Sequence, residues 1–133
     1  MMTETEVEII LEKEVDNKIP VITLNDLVMR QAKEIGAPCI APPREKTGST
    51  DFGNVMRRVP GTCARIAFVK PGSAAHSQEY LDAGKTREAH DAILYGAKIL
   101  AGAAYELIIH PELLDTAKEE FRQNLEKENA AAM

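Results

Sequence analysis

The pattern of hydrophobic and polar positions predicts three helices. Apolar residues fall at helical spacing between Thr23 and Ile35, where Thr23 is the expected N-cap and Gly36 the expected stop. A wide apolar stripe runs from Thr86 to Ile109 and predicts the longest helix. Pro111, a residue type favoured at the first helical position, opens a final amphipathic helix that we expect on the surface.

Two glycines inside the longest predicted helix indicate a close contact with another element. Gly96 and Gly102 lie within its apolar stripe. Each glycine costs about 1 kcal/mol relative to alanine in a helix interior. That cost is tolerated more easily where a second element packs tightly against the glycine, so we expect such a contact at this helix.

Two shorter stretches are typical of β-strands. Residues Glu6 to Lys13 alternate weakly, with Val7, Ile9 and Leu11 on one face, as in a half-buried strand. Residues Ala64 to Val69 form an apolar run between two turn-rich loops and predict a second strand. The order strand, helix, loop, strand, helix, helix favours layer packing of the α/β class, and we therefore predict an α/β fold.

Composition and charge narrow the class of protein. The 133 residues fit one domain, and apolar and charged fractions of 44% and 28% are typical of a soluble globular protein. The net charge of -5 gives no general attraction to phosphate, so no nucleic-acid partner is expected. We also expect no membrane partner, because no apolar run approaches the roughly 18 residues of a membrane span. A cytoplasmic location is expected because the N-terminus lacks the features of a signal peptide. Cys39 and Cys63 are expected to be free thiols.

His76 is the most promising candidate for chemistry among the three histidines. It follows the second predicted strand and a Pro-Gly-Ser-Ala-Ala loop, a position where α/β folds present functional side chains. His90 is expected to be solvated on the polar side of the long helix, and His110 to serve a cap or turn. Because zinc needs three or four protein ligands, His76 by itself cannot hold a metal ion.

No local motif completes a site around His76. The nearby carboxylates of Asp51, Glu79 and Asp82 are equally well explained as turn formers or first-turn residues. The chain contains no H-E-x-x-H motif for zinc and no G-x-S-x-G motif for a nucleophilic serine. The loop from Gly48 to Gly53 offers backbone N–H groups to an anion but lacks the G-K-[ST] of a phosphate loop.

A set of motifs in order along the chain resembles a known enzyme family. The motifs are Gly48-Ser49-Thr50-Asp51-Phe52-Gly53-Asn54-Val55, then Val59-Pro60, then His76-Ser77-Gln78-Glu79-Tyr80, then an Ala-rich helix entered at Glu88-Ala89. They resemble the C-terminal part of the dinuclear zinc aminoacylase and carboxypeptidase family. The resemblance is to its amidohydrolase branch, which includes aminobenzoyl-glutamate hydrolases and similar dipeptidases, and it covers essentially the whole chain.

The resemblance implies specific roles for residues of this chain. His76 matches the last ligand of one of two zinc ions, and Gly48, Ser49, Thr50 and Asp51 match a loop that lines the substrate pocket. Members of the family hydrolyse an amide bond of an N-acyl amino acid or dipeptide with a metal-activated water and a glutamate base. Zinc is therefore the implied cofactor.

The resemblance also implies that much of the family fold is not in this chain. The catalytic glutamate and most metal ligands have no counterpart here. Residues 1–13 would be the last strand of a smaller dimerisation domain, and residues 14–133 the C-terminal part of the catalytic domain, a partial three-layer sandwich. We expect the chain to be inactive alone and to self-associate or to need a missing N-terminal half. The alternatives are a non-catalytic binding or self-associating module and one subunit of a split hydrolase.

Overall fold

The regular secondary structure of the protein is helical. The computed structural model describes residues 6–38, 40–42 and 48–131, and within these ranges five helices follow one another. They are α1 (Ile22–Glu34), α2 (Phe52–Met56), α3 (Gln78–Ala83), α4 (Arg87–Ile109) and α5 (Pro111–Ala131). The three predicted helices are confirmed as α1, α4 and α5, whereas the short α2 and α3 were not predicted.

The α/β prediction is wrong, because the described residues form no strand and no sheet. Residues 6–13 and 64–69, the two predicted strands, lie outside the helices and make no backbone hydrogen bond with each other or with another described segment. A β-strand exists only through pairing with a neighbour, so an alternating or apolar sequence pattern is not sufficient to produce one. The partial three-layer sandwich is wrong for the same reason, since it requires a sheet.

Hydrogen bonds fix both ends of α1. The helix stops where predicted: Gly36 has φ of 69°, and the N–H of Ala37 donates to the Ala32 carbonyl at 3.0 Å. Its start differs from the prediction, because the Thr23 side chain does not serve as the N-cap. Instead the Glu120 carboxylate of α5 accepts from the N–H groups of Ile22 at 2.6 Å and Thr23 at 3.0 Å. A side chain nearly one hundred residues away therefore takes the place of the local cap.

The core lies between α1 and the other two long helices. Gln31 of α1 is buried beside Gly102 of α4, where an added Cβ would run into the Gln31 amide. The predicted close contact at a glycine of the long helix is thus confirmed. The buried cluster between α1 and α4 consists of Leu27, Val28, Ala32, Ile99 and Ala103, and the cluster between α1 and α5 of Val21, Leu24 and Ala117.

The opposite side of α4 remains uncovered by the described chain. The large apolar side chains exposed along it are those of Ile93, Leu94, Leu100, Tyr105, Ile108 and Ile109. By length and composition α4 is able to cross a membrane, although only 17% of its most apolar window is buried and the core helix of a soluble protein passes the same test. The absence of a membrane partner stays a prediction.

Candidate functional site

The predicted pocket loop leads directly into α2. Asp51 occupies the N-cap position of α2, and its exposed carboxylate lies 3.3 Å from the Lys13 ammonium. The hydroxyl of Thr50 accepts from the N–H of Phe52 at 3.3 Å, and the Thr50 carbonyl accepts from the N–H of Gly53 at 3.1 Å. Gly48 and Ser49 are exposed. Thr50 and Asp51 therefore shape the turn that starts α2, while Gly48 and Ser49 stay accessible to a ligand.

Asn54 anchors the pocket loop to the residues that precede α1. Its side-chain oxygen accepts from the N–H of Asp16 at 3.1 Å, and its side-chain N–H donates to the Glu14 carbonyl at 3.1 Å. Gly53 lies so close to the Asp16 carbonyl that a Cβ at this position would collide with the backbone. This close approach explains why glycine follows Phe52 at the start of α2.

The C-terminal end of α5 provides the second anchor. The Arg57 guanidinium donates to the side-chain oxygen of Asn129 at 2.7 Å, and the Asn17 amide donates to the Glu128 carboxylate at 3.0 Å. Arg57 also lies 4.0 Å from the Asp16 carboxylate. The pocket loop, the segment before α1 and the end of α5 thus form one polar junction. Sequence reasoning missed the contributions of Asn54 and Arg57, because no local pattern distinguishes them from surface residues.

His76 lies in a separate loop and has an unusual backbone conformation. Its φ of 60° falls in the left-handed region, which residues other than glycine seldom adopt. The side chain is exposed and makes no hydrogen bond or ion pair with the described part of the chain. The next residue, Ser77, has a buried hydroxyl without a hydrogen-bond partner. The His76 imidazole is therefore free to bind an external group.

The residues around His76 do not by themselves fit a zinc site. No group of three or more His, Cys, Asp or Glu side chains in the described ranges is arranged to hold a metal ion. Of the nearby carboxylates, Asp82 accepts from the Gln78 amide at 2.8 Å, within α3. Among the described residues, no hydrogen bond or ion pair joins His76 to the pocket loop. This chain offers at most one histidine ligand, while zinc needs three or four.

The remaining candidate residues lie elsewhere. His90 is exposed on α4. His110 is the C-cap of α4, with Nδ1 3.2 Å from the Glu112 carboxylate, which agrees with the predicted role at a helix junction. Cys63 is an exposed free thiol, and Cys39 lies outside the described residues. Two apolar depressions beside α4 contain neither His76 nor the pocket loop.

Comparison with known proteins supports a peptidase and amidohydrolase family for this chain. The chain is similar to two Xaa-Arg dipeptidases. It is 34% identical over 117 residues to the Homo sapiens protein and 32% identical over 115 residues to the Mus musculus protein. Each alignment covers 84% of this chain and 26% of the relative, so the chain spans about a quarter of the length of these curated relatives. No family model and no solved structure matches the chain.

The resemblance drawn from the sequence motifs is confirmed at this general level. Similarity to two dipeptidases supports a hydrolase, and more narrowly a peptidase or dipeptidase role. The zinc ions and the individual site residues stay predictions.

Proposed function

We propose that this chain forms one wall of the active site of a zinc-dependent dipeptidase or amidohydrolase. In this proposal Gly48, Ser49, Thr50 and Asp51 line the substrate pocket, and His76 binds one of two zinc ions. The observation that carries the proposal is the alignment with two Xaa-Arg dipeptidases over 84% of the chain. The exposed, unpaired imidazole of His76 and the accessible Gly48 and Ser49 are compatible with these roles.

The same proposal holds that the chain is inactive by itself. Zinc in a complete site of this kind lowers the pKa of a bound water and polarises the amide carbonyl. Among the described residues His76 is the one candidate ligand of this proposal, and no described carboxylate makes an ion pair or hydrogen bond with its imidazole. The other ligands and the base must therefore come from polypeptide that these residues do not include.

A chimaera tests the role of His76. The aligned segment of human Xaa-Arg dipeptidase is replaced by the corresponding segment of this chain, and hydrolysis of an Xaa-Arg dipeptide is measured with bound zinc. We expect activity in the chimaera, loss of activity and of one zinc ion with His76→Ala, and retention of both with His90→Ala as the matched control. A His76→Ala chimaera with full zinc content and unchanged turnover would falsify the assignment.

The isolated chain provides the test of inactivity. The purified protein is incubated with zinc and assayed on several N-acyl amino acids and dipeptides. We expect no turnover above the zinc-only blank. Turnover that disappears with His76→Ala would contradict the proposal that this chain cannot act alone, while still supporting the role of His76.

A non-catalytic, self-associating module is the second candidate function. The uncovered apolar side of α4 favours it, because Leu100 and Ile108 are 66% and 77% exposed. Contiguous apolar surface of this kind is typical of an interaction site. Sedimentation velocity separates the two candidates: a compact monomer over a wide concentration range would rule out self-association.

A further inference from the structure

Residues 62–69 lie along α4 without using their backbone hydrogen-bonding groups. No backbone N–H or carbonyl of this segment is bonded to another described residue. Burial alternates over residues 65–68, where Ile66 and Phe68 are half-buried while Arg65 and Ala67 are exposed. Ile66 packs near Gly96 of α4. The segment therefore resembles one strand of a sheet, covered by a helix on one side and lacking a neighbouring strand.

Residues 6–13 form a second unpaired segment. Every residue in it is exposed, and Val7 and Ile9 are both 84% exposed. These apolar side chains alternate with glutamates, the pattern of a strand with one apolar face. Its end is fixed by the ion pair between Lys13 and Asp51. Nothing within the described part of a single copy covers its apolar face.

The two segments carry opposite charges. Residues 62–69 contain Arg65 and no acidic residue, whereas residues 6–13 contain three glutamates and one basic residue, Lys13, which pairs with Asp51. Arg65 has no ion pair with any described residue. Charge complementarity of this kind steers association and disfavours pairing of like segments. The basic segment therefore matches the acidic segment better than it matches a second copy of itself.

We propose that two copies of this chain associate by reciprocal strand pairing, in which residues 6–13 of each copy pair along residues 62–69 of the other. Within one copy no hydrogen bond or ion pair joins the described residues of the two segments, and residues 6–13 are exposed throughout. An exposed strand edge binds an extended peptide through main-chain hydrogen bonds, with side-chain pockets adding specificity. The apolar depression of about 300 Å³ beside the basic segment, lined by Ile66, Phe68 and Ile93, offers such a pocket.

The proposed contact is isologous. Because each copy contributes both segments, a two-fold dimer contains the same pairing twice. This inference does not depend on the proposed hydrolase function. It specifies which segments form the contact if the chain is a self-associating module.

Proline substitution tests the pairing in the full chain. Ile9→Pro and Ala67→Pro each remove a backbone donor from one segment. Both residues lie outside the helices, so helical circular dichroism should stay unchanged. We expect sedimentation velocity and native mass spectrometry to show dimers for the unsubstituted chain, monomers for either variant at the same concentration, and dimers for the control Ala74→Pro.

Mixing the two variants distinguishes reciprocal pairing from other arrangements. The Ile9→Pro chain keeps an intact basic segment and the Ala67→Pro chain keeps an intact acidic segment, so their mixture restores one of the two contacts. We expect a heterodimer that is weaker than the unsubstituted dimer and that dissociates further as salt is raised. Amides of residues 63–69 should exchange slowly with solvent in the dimer and rapidly in either variant alone.

Three results would overturn the proposal. The first is an unsubstituted chain that stays monomeric at all concentrations. The second is a dimer that survives both proline substitutions, which would place the contact on another surface such as the outer side of α4. The third is protection of residues 63–69 in a monomer, which would show pairing within one copy.

Discussion

Helices α1 and α4 belong to the same core but differ in how much of their surface is covered. Helix α1 has 13 residues, of which five are buried, whereas α4 has 23 residues, of which only four are buried. The difference arises because α1 packs against both α4 and α5, while α4 meets its neighbours on one side. We infer that the stability of this chain is concentrated around α1, and that the outer side of α4 contributes little to it.

Truncating a buried leucine between α1 and α4 gives the largest expected loss of stability, and truncating an exposed leucine on the outer side of α4 is its control. Leu27 is 3% exposed in the cluster between α1 and α4, and Leu100 of α4 is 66% exposed. Leu27→Ala should lower the free energy of unfolding by about 2–5 kcal/mol, because it leaves a cavity. Leu100→Ala should change it by less than about 0.5 kcal/mol. Urea unfolding followed by circular dichroism measures both values, and equal losses would contradict the comparison.

The helices were predictable because their signals are local. Gly36 stops α1 in the left-handed conformation, Thr86 caps α4 by accepting from the N–H of Ala89 at 3.3 Å, and Pro111 opens α5. The sheet was predicted wrongly because pairing is a property of two segments, and each segment was judged by its own pattern. The same limit applies to Glu120, since nothing near it in sequence indicates that it caps α1.

The candidate site was predictable only in part. His76 and the loop from Gly48 to Asp51 stand out by turn composition and by motif resemblance, although the roles given to them stay predictions. The junction that holds the loop was not predictable. Asn54 and Asp16 are 38 residues apart in sequence, and Arg57 and Asn129 are 72 residues apart. Periodicity reports on neighbours within a few turns and carries no information about contacts at such separations.

Gly53→Ala tests whether the pocket loop is packed tightly against the segment that precedes α1. Alanine is favoured over glycine in a helix by about 1 kcal/mol, but here its Cβ would run into the Asp16 carbonyl. The backbone must shift to relieve this overlap, so we expect a net loss of about 1–3 kcal/mol in unfolding free energy.

Gly48→Ala in the same loop is the matched control. A Cβ at Gly48 meets no atom within 4 Å, so this variant should unfold at the same urea concentration as the unsubstituted chain. If Gly53→Ala were as stable as Gly48→Ala, the loop would be free to move away from Asp16, and the polar junction would not fix the site.

The smallest expected effect concerns the carboxylate that joins α5 to the start of α1. Burial raises the pKa of Glu120, but hydrogen bonds from the N–H groups of Thr23 and Ile22 and from the Thr23 side chain together outweigh burial and hold this pKa below its ordinary value of 4.5. A carboxyl whose pKa is lower in the folded state stabilises the fold above its unfolded pKa, and this contribution is lost as the pH falls through the folded pKa. Glu120→Gln should therefore cost about 1 kcal/mol at pH 7.

Thermal unfolding between pH 3 and pH 8 checks this sign. The difference between Glu120→Gln and the unsubstituted chain should be full at neutral pH. It should shrink as the pH falls from the ordinary value of 4.5, where Glu120 of the unfolded chain takes up its proton, through the lower pKa of Glu120 in the folded chain. Asp115→Asn on the same helix is the control, because the Asp115 side chain has no hydrogen bond or ion pair with a described residue. If the stability difference between Glu120→Gln and the unsubstituted chain stayed constant down to pH 3, the charge of Glu120 would not be what holds α1 to α5. Apolar contacts alone would then explain why α1 is more completely covered than α4.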